Sequence, residues 1–290
     1  VGDTMPHDYL MKAMGLSRIS MDAAKIAGAL VGTGLFALLG IGYSYVIVAS
    51  FYLASFSLTL GVSKVHGSRS QSEPAAAAGA APVNAALAAA ASAWRDLKDG
   101  LAYVWNTPVV LAMMCLAFIA NLTAFPLSIG LLPYVARAVY RIDAIGLGHI
   151  GAAFACGALA GSITMTFAGV TKNAPRVVVA SLLFWYAALA IFAQFETKTA
   201  GMVVLPFIGF FQSLSMVSMS VALLNFANER FRARVMGVRM LAIYGLPLGM
   251  LASGVLIASI GFSGTILLYC SVGATVTLGI SLRWRKSLGY

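Results

Sequence analysis

Charge is what this chain has least of. Nine of its 290 residues are acidic and nineteen basic, a 10% share where soluble domains carry about a quarter. With 60% apolar residues there is too little polar surface to cover a core in water. The few acids are also poorly placed for chemistry. Asp3, Asp8, Asp22, Glu73, Asp96, Asp99, Asp143, Glu196 and Glu229 all fall in polar segments or at the ends of apolar ones. None reaches the mid-bilayer depth at which buried carboxylates relay protons or hold ions. The three histidines, His7, His66 and His149, are scattered. Cys115, Cys156 and Cys270 stand alone in separate apolar stretches, so neither a disulfide framework nor metal-ligand spacing arises. No nucleophile and base pair up, and no phosphate loop is present. No catalytic residue, metal or cofactor is expected, and the chain reads as no enzyme. The net charge of +10 superficially suits nucleic acid. The basic residues, however, sit between apolar stretches, where they orient helices, and no nucleic-acid partner is expected.

What the chain has in quantity is apolar sequence. Stretches at 23–42, 43–63, 109–136, 145–170, 177–195, 200–225, 238–260 and 264–282 are each long enough to cross a bilayer. This reads as an all-α polytopic membrane bundle of about eight transmembrane helices, with the lipid bilayer as its first partner. Gly40-Ile41-Gly42 turns the first two spans into a tight hairpin. Residues 1–22 read as a loop leading into the first span. Val1 is not an initiator and no signal-like segment follows it, so the chain starts as if in the middle of a longer one. Loops taken alternately put sixteen basic residues on one side and Arg137, Arg141 and Lys198 on the other. The positive-inside rule makes the first side cytoplasmic, with both termini there. The alternation requires an even number of spans.

One long connection interrupts the series. Residues 66–92 are rich in Ser, Ala, Gly and Pro and read mostly as a flexible linker. Beyond it, Trp94, Leu97, Leu101, Val104 and Trp105 share a helical face away from Arg95, Asp96, Lys98 and Asp99. That pattern describes a short amphipathic helix on the membrane surface, with its tryptophans at headgroup depth. Pro108 then opens the next span.

The candidate functional residues are uncharged polar or aromatic side chains inside spans. Asn121 and Phe125 lie beside Pro126, and Tyr244 lies beside Pro247. Gln212 and Ser215 share one face of their helix with Met219. Facing a water-filled cavity, these five would suit a small amphiphilic or lipophilic substrate. Facing neighbouring helices, they would only hydrogen-bond across them. Small residues four apart, at Gly28 and Gly32, Gly157 and Gly161, and Gly245 and Gly249, allow close helix packing. The densest charge cluster spans 228–239 and carries Arg230, Arg232, Arg234 and Arg239. It serves as a topology anchor, or as a gate if its arginines pair with acids on another loop of the same side.

Several segments carry a family resemblance. Arg232-Ala-Arg-Val-Met-Gly-Val-Arg-Met-Leu241 is similar to the "RGRVMGLxML" cytoplasmic loop of major facilitator superfamily transporters, and especially of their bacterial drug and siderophore exporter branch. Gly100-Leu-Ala-Tyr-Val-Trp-Asn-Thr-Pro108 resembles the "GLRYVxxHP" lead-in to the seventh helix. Asn121, Pro126 and Leu132-Pro133-Tyr-Val-Ala-Arg137 resemble that helix and its outer end, and Pro6 to Ala29 resembles the start of the fifth. The resemblance implies two six-helix bundles rocking about a midplane cavity. Residues 1–63 would be the last two helices of the N-terminal bundle, 64–108 the cytoplasmic linker, and 109–290 the C-terminal six-helix bundle. It also implies export of a small organic molecule across a bacterial inner membrane, coupled to protons. Two departures stand out. Gly28-Ala29 replaces the Gly-Pro common in the fifth helix of exporters, and Gly169 to Arg176 is a degenerate form of the signature loop. A lipid or lysolipid transporter, or a non-transporting truncated copy, is the competing expectation.

Overall fold

The computed structural model describes residues 7–60, 82–168 and 173–285. The start of the chain through Pro6, residues 61–81 with His66, residues 169–172 and the last five residues lie outside them. Among the described residues every regular element is helical. Their order is α1 (His7–Leu60), α2 (Pro82–Asn106), α3 (Pro108–Thr123), α4 (Leu132–Tyr134), α5 (Ala144–Ala168), α6 (Ala174–Phe192), α7 (Lys198–Phe226), α8 (Arg232–Leu241) and α9 (Gly245–Arg283). Apart from their ends, the eight apolar stretches all fall on this helical backbone.

Two helices begin earlier than hydropathy suggests. α1 starts at His7, within the segment expected to be a loop, because Leu10, Met14 and Met21 already follow the helical period. α2 starts at Pro82, within the segment expected to be a flexible linker. Proline suits a first helical turn, and the alanine run behind it has the highest helix propensity of any residue type.

α1 and α9 are each broken by a glycine that no L-residue replaces comfortably. Gly40 has φ 74° and ψ 177°, and Gly261 has φ 76° and ψ 173°. In both cases the side chain four residues on caps the break. Ser44 donates to the Gly40 carbonyl at 2.7 Å, and Thr265 to the Gly261 carbonyl at 2.7 Å. At Gly261 the chain doubles back. The Tyr269 hydroxyl donates to the Gly249 carbonyl at 2.7 Å, although a straight helix would put residues twenty apart about 30 Å from each other. The matching torsions and cap at Gly40 fit the hairpin expected there.

Pro126 and Pro133 reshape the continuation of α3. Each lacks the N–H that a helical turn needs, and the backbone widens into π-helical turns at Pro126–Leu131 and Val135–Val139 on either side of α4. α2 and α3 meet at Thr107 with a bend of 107°. Among the described residues, four helical runs are long and apolar enough to cross a membrane, namely Ala144–Phe167, Ala174–Phe192, Lys198–Phe226 and Glu229–Arg283, the last containing the reversal at Gly261. The bent pair of α2 and α3 passes the same test jointly.

Backbone-to-backbone contacts at glycine hold the bundle together. A Cβ on Gly157 or Gly161 of α5 would strike the carbonyls of Pro206 or Phe210 on α7, and one on Gly209 of α7 would strike the Phe154 carbonyl of α5. Ser162 and Ser213 share a hydrogen bond of 2.7 Å across this interface. Gly245 and Gly249 of α9 bring that helix onto Phe118 and Leu122 of α3 in the same way. Among the described residues, nothing lies within 4 Å of a Cβ position at Gly28 or Gly32. α1 packs along α5. The core lies between α3, α6, α7 and α9, with Met113, Leu116, Trp185, Tyr186, Leu205 and Ile266 almost wholly buried.

Candidate functional site

Two clusters carry the polar chemistry. The first lies inside the bundle. α7 is 29 residues long, and Gln212 stands midway along it with Ser215 one turn further on. Gln212 is 4% exposed and Ser215 0%. Gln212 Oε1 and Ser215 Oγ are buried with no hydrogen-bond partner among the described residues. An unsatisfied polar atom at such depth costs about 1–3 kcal/mol, so its presence calls for a physical reason. Other serines nearby on α7 have partners: Ser213 bonds Ser162, and Ser218 donates to the Met165 sulfur at 3.5 Å.

The other interior candidates are placed differently. Asn121 turns its amide onto its own helix, with Nδ2 donating to the Ala117 carbonyl at 2.8 Å. Its Cβ lies against Gly245, the residue after Tyr244, so α3 and α9 meet there. Tyr244 itself is 68% exposed on the 3-10 turn Ala242–Tyr244. Phe125 sets its ring edge-on to Trp185 of α6 at 5.1 Å. Beside them, Thr123 and Tyr186 share a hydrogen bond of 2.8 Å. Trp185, whose Nε1 is also buried without a partner among the described residues, and Tyr186 carry no distinguishing signal in the sequence. An aromatic pair in an apolar helix reads there only as core packing.

The second cluster lies at the basic end of the bundle, where α2 and α8 dock on each other. Gly100 of α2 is buried because the Arg234 Cβ, the Arg234 carbonyl and the Val238 methyl would sit 3.2–3.3 Å from any Cβ on it. Tyr103 stacks flat on Phe231, with centroids 4.5 Å apart and planes 5° apart. The Asn228 backbone N–H donates to the Tyr103 hydroxyl at 2.9 Å. Arg234 lies over Phe231 and pairs with Asp96 at 2.7 Å and Asp99 at 3.4 Å. Arg234 thus makes the pairing with acids of another segment that a gate requires. Arg232 donates from Nε to the Leu224 carbonyl at 3.0 Å, and Arg239 to Ser220 Oγ at 2.6 Å. Both tie α8 to the C-terminal end of α7, where cations are favoured by the helix dipole. Arg230 is exposed and orders its turn through a backbone N–H bond to Asn228 Oδ1. The apolar face expected on α2 is also divided. Val104 and part of Leu97 pack inward, while Trp94, Leu101 and Trp105 stay exposed.

Long apolar helices in contact through glycine, a polar notch at mid-helix and a charge cluster confined to helix ends define a multi-pass membrane protein. Over residues 1–247 the chain matches the Major Facilitator Superfamily. It belongs to that superfamily, whose members are transporters. Neither the curated proteins nor the solved structures returned a match.

Proposed function

We propose that this protein is a secondary active exporter of a small organic molecule, working by alternating access in a bacterial inner membrane with both termini cytoplasmic. The observation that carries the reading is the buried, unpartnered pair of Gln212 Oε1 and Ser215 Oγ midway along α7. In a protein that rocks between two open states, polar groups closed off in one state are supplied with partners by substrate or water in another. Asn121 near the end of α3, Phe125 just beyond it and Tyr244 on the turn before α9 are proposed as further substrate-cavity residues. The orientation is supported by the sixteen-to-three distribution of basic residues, and coupling to protons by the family resemblance.

The α2–α8 clasp is proposed as a cytoplasmic gate, with Arg234, Asp96 and Asp99 as its breakable contacts. The test is accumulation of labelled candidate substrates in cells with and without the full gene, before and after an uncoupler collapses the proton gradient. Lower accumulation with the gene, reversed by the uncoupler, is the expected result. Redistribution of a labelled lysolipid alone would point to lipid movement. No gene-dependent change for any substrate would leave a non-transporting protein as the better account.

A further inference from the structure

α2 uses only part of its circumference to hold α8. Gly100 and Val104 face inward, and on one flank Asp96, Asp99 and Tyr103 take Arg234, Phe231 and the Asn228 N–H. On the opposite flank Trp94, Lys98, Leu101 and Trp105 follow at intervals of four, three and four residues and so form one stripe. Trp94 is 58% exposed, Trp105 72% and Leu101 51%. Lys98 sits within the stripe, its Nζ 5.5 Å from the centre of the Trp94 ring.

The fold says what lies beside that stripe. The apolar stretch 109–136 begins beside Pro108, and α2 leaves α3 there at 107°. A helix that turns through a near right angle at the end of a span runs close to the membrane plane. Trp105, three residues from Pro108, is therefore at the depth of the boundary, where amphipathic indole rings partition. The charges are sorted as well. The two acids of α2 are drawn to the far flank by Arg234, and the charge on the stripe is the Lys98 cation. Apolar anchors around a cation complement an anionic headgroup with its acyl chains.

We propose that the Trp94–Lys98–Leu101–Trp105 face of α2 is a docking surface for anionic phospholipid, with Lys98 directed at the lipid phosphate. The same helix is clasped to α8, which leads through the Ala242–Tyr244 turn into α9. Lipid bound on one flank therefore helps to set the position of α8 through the other. The proposal does not depend on what the protein transports.

The test is tryptophan quenching by brominated lipid, with the full chain in nanodiscs. One set contains brominated phosphatidylglycerol in unlabelled phosphatidylcholine, and the other carries the bromine on phosphatidylcholine at the same molar ratio. The expected result is that brominated phosphatidylglycerol quenches more strongly. The double variant Trp94→Phe/Trp105→Phe, exposed positions at which folding is checked by thermal melting, should lose most of that extra quenching. Lys98→Gln should keep both tryptophans in the headgroup layer and lower the preference for phosphatidylglycerol about five-fold. Equal quenching by the two lipids, or a preference that Lys98→Gln leaves intact, overturns the proposal. So do tryptophans reached by aqueous iodide but not by brominated lipid. Protection from both quenchers that grows with protein concentration overturns it too, because a second copy would then cover the stripe.

Discussion

Gly157→Ala adds one carbon and should loosen the bundle at its tightest point. The new Cβ would lie 2.5 Å from the carbonyl carbon and 2.6 Å from the Cα of Pro206, and closer still to the carbonyl oxygen. All three atoms are backbone, so no rotamer change relieves the clash. Carbon atoms pack best at about 3.5–4.0 Å, so α5 and α7 must separate by roughly 1 Å at this point. A gap of that size forfeits about a quarter to a half of each dispersion contact, and some 20–30 atom pairs at about 0.15 kcal/mol each would then lose about 1–2 kcal/mol. The Ser162–Ser213 bond, 2.7 Å long across the same interface, stretches too, and interhelical bonds of this kind are worth about 0.6 kcal/mol in a membrane. The sum is about 2–3 kcal/mol, within the usual range for overpacking, and the better helix propensity of alanine offsets about 0.5–1 kcal/mol of it. Thermal unfolding of the purified chain in detergent should show a net fall of roughly 3–6 °C. Gly237→Ala is the control. Gly237 lies on the exposed side of α8 with nothing within 4 Å of a Cβ, and replacing a helical glycine there should raise stability by about 0.5–1 kcal/mol. A Gly157→Ala protein that melts at or above the wild-type temperature would refute the close contact, and with it the docking of α5 on α7.

Other perturbations separate stability from function. Arg234→Gln removes two ion pairs whose acids are more than half exposed, so unfolding should change by no more than about 1 kcal/mol in total. If the clasp is a gate, transport falls in that variant while insertion stays normal, and unchanged transport refutes the gate. Gly40→Ala and Gly261→Ala force an L-residue into torsions that suit only glycine and should each cost about 1–3 kcal/mol, read as a lower melting temperature. Burial pushes the Tyr140 phenol from its ordinary value of 10 up to about 12. The folded form therefore holds that proton more tightly, and the associated stability, full below pH 10, is lost as pH rises towards 12. Tyr140→Phe should flatten this alkaline loss and, by removing a buried hydroxyl without a partner among the described residues, leave stability at neutral pH unchanged or slightly higher. An unaltered alkaline slope would rule out Tyr140 as its source. Replacing Asn121, Gln212 and Tyr244 together with alanine should abolish transport, and undiminished transport discards them as cavity residues.

Much of this architecture was legible in the sequence because it rests on local properties. Apolar runs of sufficient length become helices in lipid, since no other backbone arrangement satisfies its own hydrogen bonds there. Gly40 breaks α1 where a Gly-Ile-Gly turn was expected, and Pro126 and Pro133 distort the continuation of α3 by removing donors. The period of α7 put Gln212 and Ser215 on one face, and both are buried. What periodicity gives is a face and not the neighbour across from it. Arg234 meets Asp96 from 138 residues away, and no spacing rule reaches that far. Tyr244 and Gln212 look alike as polar groups within apolar stretches, yet one is exposed and the other enclosed, because that depends on which helix lies opposite. Periodicity puts Trp94, Leu97, Leu101, Val104 and Trp105 of α2 on one apolar face, and packing against α8 splits that face in two. The sequence by itself determined the helices, their breaks and the basic end, through hydrophobic transfer and backbone sterics. Tertiary structure alone decided which polar groups are left without partners and which cation holds which acid, because those are contacts between residues far apart in the chain.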